Sequence, residues 1–188
     1  PIANIKNSLP EQVLLLVDGA QGGGHFPISM RELGADFLAL AGHKGLMGIQ
    51  GSGALLFSER VDPTPVLYGG TGSMSLSLDM PDFFPDALEA GTIAFPAVVS
   101  LLEGTRFLRE RLSEIEEHLT ALTAYLIDGI KALRDYTVYS KPNPCGIVAL
   151  KHVFLQSEFL SDVLSSKYDI ATRGGLHCAP LMHEELGT

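Results

Sequence analysis

Apolar positions fall into short continuous runs in the first third of the chain and into a helical stripe in its middle. Residues 13–17 are wholly apolar and end at Asp18. Residues 37–41 form a second run that ends at Gly42-His43-Lys44, and residues 54–57 form a third. Continuous runs of this length suit strands covered on both faces, as in a parallel sheet. Gly19 and Gly22-Gly23-Gly24 open a loop after the first run, and residues 29–33 read as a short helix closed by Gly34. Gly45, Gly48, Gly51 and Gly53 follow the second run. Strand, loop, helix, strand, loop, strand is the order of an α/β layered domain whose functional loops leave the carboxyl ends of the strands.

Residues 61–92 are rich in Gly, Ser, Pro and Asp with little periodicity, the mark of a long irregular segment with a functional or interfacial role. From residue 95 to about 134 Leu, Ile and Phe recur at spacings of three and four, a helical pattern. A break near residues 112–113, with Ser113 as a cap before Glu116, predicts two helices there. Residues 137–139 and 146–152 read as strands, 156–167 as a helix and 168–172 as a final strand. The organisation expected is a layered part over residues 1–95, linking helices over 96–135, and a smaller α+β unit over 136–188.

Composition narrows the function classes. The chain has 188 residues, with 13 Lys plus Arg against 22 Asp plus Glu, a formal net charge of −9. Such a balance repels phosphate backbones, so nucleic acid is not an expected partner. No basic run marks a membrane surface, and the apolar runs fall far short of the ~18–20 residues of a spanning helix. No leader pattern stands at the start, and the chain does not open on Met, so a segment of a longer protein is expected. Two cysteines, Cys145 and Cys178, do not make a disulfide framework and fit a reducing, cytoplasmic setting. The histidines show no metal-ligand spacing, and no metal is expected.

Two residues bear chemistry on residue type alone. Asp18 ends an apolar run, where it reads as a loop carboxylate or cap, or as the partner of a protonated ring nitrogen. Lys44 follows the second run in a Gly-rich loop. It reads as a solvated surface lysine, or as an amine for Schiff-base chemistry, which needs a neutral lysine in a desolvated, electropositive place.

Taken together, Val17-Asp18-Gly19-Ala20-Gln21, Gly34-Ala35-Asp36-Phe37 and Gly42-His43-Lys44 stand in an order and spacing that resemble the class V aminotransferase and cysteine desulfurase group of fold-type I pyridoxal phosphate (PLP) enzymes. The resemblance implies that residues 1–95 are the back part of the PLP-binding large domain and residues 136–188 a C-terminal domain truncated at its end. It implies roles as well. Lys44 would hold PLP as a Schiff base and later shuttle a proton, and Asp18 would pair with the pyridinium nitrogen so that the ring accepts electrons. Ala20 would pack on the ring face, Gln21 would bond its phenolic oxygen, and His43 would contact the phosphate. Ala41 stands where the family often has Ser or Thr, which implies a differently built phosphate cup. Glu89-Ala90-Gly91-Thr92 matches an element whose Thr reaches the partner's cofactor phosphate, so Thr92 implies a homodimer. The cluster Gly69-Gly70-Thr71-Gly72-Ser73 is a weaker phosphate cradle.

Arg173-Gly174-Gly175-Leu176-His177-Cys178-Ala179-Pro180-Leu181 resembles the loop of the desulfurase branch whose cysteine takes sulfur from PLP-bound L-cysteine, giving L-alanine and a persulfide. Cys178 would be that cysteine. Arg173 and His177 would supply positive charge beside it or bind the substrate carboxylate. Cys145 lacks such a context and reads as structural. A sulfur-acceptor protein is a further partner implied. Selenocysteine lyase, a class V aminotransferase and, from another class, a non-catalytic fragment or interaction domain are the alternatives. The family is roughly twice this length. The front of the sheet, a phosphate loop and a ring that stacks on PLP are expected to be missing, together with an arginine beyond Thr188 that grips the substrate carboxylate.

Overall fold

The structure is a computed structural model and describes residues 2–70 and 72–188; Thr71 of the Gly69–Ser73 cluster lies outside the described residues. The chain divides into two compact units, Pro1–Glu114 and Ile115–Thr188.

The first unit is built on a three-stranded sheet in the order β1 (Leu16–Asp18), β2 (Phe37–Ala41), β3 (Gly53–Phe57). A helix, α1 (Ile2–Ser8), precedes it, and α2 (Met30–Leu33) lies in the crossover from β1 to β2. Ser29 caps α2 by accepting from the Glu32 amide, and Gly34 closes it at φ 65°, as the sequence predicts. β1 and β2 are parallel, pairing Asp18 with Ala39. β2 and β3 are antiparallel, pairing Ala41 with Gly53. The expectation of a mainly parallel sheet is therefore corrected for the third strand. The connection from Gly42 to Ser52 is shorter than the roughly dozen residues a parallel crossover needs, so the chain turns straight back.

Burial corrects the reading of doubly covered strands. Only β2 has a fully buried side chain, Leu38, whereas Leu16 in β1 and Leu55 and Leu56 in β3 are about half exposed. Strand β1 also starts later than the apolar run that predicts it. Residues 13–15 precede the strand because the Leu15 amide goes to the Asp36 carboxylate at 2.8 Å. Asp36 is buried and holds Lys6 at 2.9 Å and Arg60 at 3.1 Å. A buried carboxylate is tolerated when paired and hydrogen-bonded in this way. The backbone bond from Leu15, helped by Lys6, holds its carboxyl below its ordinary value of 3.8.

Among the described residues of 58–94 the helical elements are two 3-10 turns, Gly72–Met74 and Asp86–Leu88, so the irregular segment is as expected. Next comes α3 (Phe95–Lys131), one helix of 37 residues in which no break occurs at Ser113. No Gly or Pro stands between Thr105 and Asp128, and a single mid-helix Ser costs only a few tenths of a kcal/mol, so nothing stops propagation.

In the second unit, β4 (Tyr136–Val138) and β5 (Leu150–His152) pair antiparallel, followed by α4 (Ser157–Tyr168) and α5 (Pro180–Leu186). Thr123 and Ile127, one turn apart on α3, are buried, and the Thr123 hydroxyl accepts from the Asn143 amide at 3.0 Å. The Asn143 side chain then ties the loop before β5 together through Cys145, Ile147 and Lys141. The strand expected at 168–172 does not form. Tyr168 closes α4, Asp169 turns left-handed at φ 56°, and the Thr172 carbonyl accepts from the Ser161 hydroxyl instead of a strand. Among the described residues no helix is long and apolar enough to cross a membrane.

Candidate functional site

The parallel pairing of β1 with β2 sends both chains out at the same edge of the sheet. Asp18 ends β1, and its Oδ1 accepts from the Ala20 amide at 2.9 Å, an Asx turn that starts the loop. The Gly19 amide donates to the Ala39 carbonyl at 2.8 Å, fastening that turn to β2. Gly42, His43 and Lys44 leave the end of β2. Asp18, Gln21, His43 and Lys44 are exposed and Ala20 is half-buried, so these five predicted residues are brought to one sheet edge with side chains accessible. Among the described residues the Lys44 amine has no hydrogen-bond or ion-pair partner.

Backbone packing fixes the two loops against each other. A Cβ at Gly24 would run into the Gly45 carbonyl, and one at Gly45 would run into the Gly23 carbonyl. Gly24 also sits at φ 87°, a conformation other residues avoid. The imidazole of His25 closes the same contact, 2.9 Å from where a Gly45 Cβ would be. The Lys44 loop is cinched at its neck, where the Gly42 amide donates to the Ser52 carbonyl at 2.9 Å and the Gly48 amide to the Gly42 carbonyl at 2.7 Å. Residue type alone does not mark His25, Ser52 or the buried Asp36 as parts of this arrangement; the dense spacing of glycines is the one signal that backbones approach closely here.

The donor set suits PLP. A carboxylate, an amide side chain, an imidazole and an unpartnered amine at one sheet edge answer the ring nitrogen, phenolic oxygen, phosphate and aldehyde of that molecule. Ala41 offers no side-chain donor, so a phosphate at this edge would have to be met by His43 and backbone amides.

Thr92 is not part of that edge group. It is exposed in the segment before α3 and lines two hollows, one with Gly70, Ser73, Met80 and Glu89, the other with Gly51, Ser52 and Gly53 at the far end of the Lys44 loop.

The second unit carries the cysteine loop. Cys178 and its neighbours from Leu176 to Pro180 are exposed. His177 and Cys178 lie at φ 54° and 61°, a left-handed pair of non-glycine residues. Such backbone is strained by about 1–2 kcal/mol per residue and clusters at functional loops. Arg173 Nη2 donates to Cys178 Sγ at 3.3 Å. The His177 ring meets the His183 ring of α5 edge-on at 6.1 Å between centroids. At the loop's base, Gly174 fits tightly against Ser157 and Glu158, and the Gly175 amide donates to the Ser157 hydroxyl at 3.0 Å. Cys145 is half-buried, and both cysteines are free.

A family model described as aminotransferase class-V matches residues 1–187. A probable cysteine desulfurase of Methanothermobacter thermautotrophicus is 32% identical over 187 residues, spanning 93% of this chain and 47% of its own length. A probable cysteine desulfurase of Halalkalibacterium halodurans is 34% identical, spanning 90% and 43%. Among solved structures, the apo cysteine desulfurase of Thermococcus onnurineus superposes with a TM-score of 0.80 at 27% identity, over 98% of this chain and 47% of that one. The chain thus spans under half the length of the curated relatives it matches.

Proposed function

Because the chain belongs to the class-V aminotransferase family, we propose that it is part of a PLP-dependent cysteine desulfurase that releases sulfur from L-cysteine through Cys178. The observation that carries this reading is that Asp18 and Lys44, whose amine is unpartnered among the described residues, stand at the same edge of the parallel pair β1–β2. When bound, PLP supplies the electron sink for bond cleavage next to the amino group of the substrate.

Lys44 would hold the cofactor covalently through its amine, and the same amine would move protons at the substrate carbons. Asp18 would keep a proton on the ring nitrogen, Gln21 would donate to the phenolic oxygen, Ala20 would pack on the ring face, and His43 would contact the phosphate. Thr92 contributes to a phosphate across a homodimer interface. Cys178 Sγ forms a bond to the substrate sulfur as the carbon–sulfur bond breaks. The products are L-alanine and a persulfide on Cys178, with every atom of L-cysteine and the thiol accounted for. Arg173 donates to Cys178 Sγ and His177 is its neighbour in the chain, which supports a role for both in receiving the substrate carboxylate. The persulfide then passes to an acceptor protein. Two free cysteines agree with a reducing, cytoplasmic compartment. The exposed Cys178, bonded by Arg173, favours this reaction over transamination, which has no use for a thiol.

The test uses the full-length protein. Borohydride reduction after PLP loading, followed by peptide mapping, places the pyridoxyl group on Lys44, and L-cysteine supplied with a thiol reductant such as dithiothreitol, which cleaves the persulfide, gives alanine and sulfide in equal amounts. A label on another lysine, or sulfide release undiminished in Cys178→Ala, overturns the assignment. A marked preference for selenocysteine over cysteine redirects it to the lyase.

A further inference from the structure

The loop that carries Lys44 is gripped from behind by one face of α3, and we propose that Ser100 and Gly104 are positioning residues that set the placement of the Lys44 amine. The inference rests on the reading of Lys44 as the PLP lysine. Ser100 and Gly104 lie four residues apart and so share a face of the helix. The Ser100 hydroxyl donates to the Ala97 carbonyl at 2.8 Å, which spends its proton inside α3 and turns a lone pair outward. The Ile49 amide fills that lone pair at 3.0 Å. One turn later Gly104 is buried, and a Cβ there would run into the Leu46 carbonyl and stand 3.2 Å from the carbonyl carbon of Met47.

These contacts hold the segment from Leu46 to Ile49 at both ends. Between them Met47 is kept at φ 59°, a backbone region that a methionine leaves unless it is held. The Met47 amide donates to the Lys44 carbonyl at 2.9 Å, so the grip passes to the lysine through one bond. On the opposite side Gly45 meets the Gly23 carbonyl. The residues following Lys44 are therefore packed between two backbones with no room for an added methyl on either side. Placement errors of about 1 Å at a reacting group cost on the order of a hundredfold in rate, and Gly104 is where a single methyl would force a shift of that size.

The full-length protein carrying Ser100→Ala, Ser100→Thr or Gly104→Ala is compared with Gly129→Ala. Gly129 lies on the same helix with nothing within 4 Å of its added methyl. Three quantities are read: amide hydrogen exchange over residues 45–50, the rate at which PLP becomes reducible onto Lys44, and the midpoint of thermal unfolding. Ser100→Ala is expected to speed exchange at Ile49 and slow attachment about tenfold, with Ser100→Thr restoring both. Gly104→Ala is expected to slow attachment about a hundredfold, and Gly129→Ala to change neither exchange nor attachment. Attachment rates unchanged in Ser100→Ala and Gly104→Ala, or slowed equally in Gly129→Ala, overturn the proposal. Should Gly104→Ala not fold, the Ser100 pair decides alone. Wild-type label on a lysine other than Lys44 overturns the reading beneath the proposal. Label on Lys44 with unaltered rates in the variants overturns only the positioning role.

Discussion

The Lys44 loop and the Cys178 loop each carry one of the two side chains proposed to react, yet they are built in opposite ways. Around Lys44, backbone meets backbone at Gly24 and Gly45, the neck is closed by Gly42 and Ser52, and α3 grips the far side through Ser100 and Gly104. Around Cys178 the side chains are exposed, two consecutive residues are left-handed, and the thiol's bond comes from Arg173 on the same loop. The contrast follows from the work proposed for each. An anchor for a cofactor loses rate when it drifts, so close packing serves it. A sulfur carrier must meet a substrate and afterwards an acceptor, so an exposed loop with stored backbone strain serves it better.

The largest effects should separate these two roles. In the full-length protein Lys44→Ala should abolish both reducible PLP attachment and cysteine turnover. Cys178→Ala should leave attachment intact while sulfide release falls about a thousandfold or more. Equal loss of attachment in the two variants would erase the distinction between anchor and carrier.

Stability should divide the loops as well. Gly45→Ala drives a methyl into the Gly23 carbonyl and should cost about 3 kcal/mol in a denaturant titration. His177→Gly relieves a left-handed residue and should change stability by under about 1 kcal/mol, since the gain in backbone ease is offset by a freer unfolded chain. A costly His177→Gly and a harmless Gly45→Ala would reverse the comparison.

A smaller effect concerns acid. The Asp36 carboxyl is held below 3.8 by the Leu15 amide and by Lys6. A group whose value is lowered on folding contributes stability that is complete above its unfolded value and is lost as pH falls through the folded one. Unfolding of the first unit should thus steepen below about pH 4, and Asp36→Asn should flatten that limb. The environment of Cys178 should be little changed by Asp36→Asn. An acid limb unchanged in Asp36→Asn would show that another carboxylate governs it.

Much of this molecule is written in local order. Apolar runs ending in Asp18 and in Gly42-His43-Lys44 locate the two strand ends, Ser29 and Gly34 bracket α2, and Arg173 to Leu181 marks the cysteine loop. These features are legible because caps, turns and strand-end motifs depend on residues close in the chain. Only the tertiary structure decided the pairing of β3 with β2, the absence of a strand after Tyr168 and the grip on the Lys44 loop. Each depends on partners distant in sequence: Ala41 with Gly53, Ser161 with Thr172, Ser100 with Ile49, Gly104 with Leu46. Asp36 shows the reason most plainly. In the sequence it is one acid before an apolar run, whereas in the fold it is a buried charge satisfied by Lys6, Leu15 and Arg60, groups that only chain folding brings within 3.1 Å.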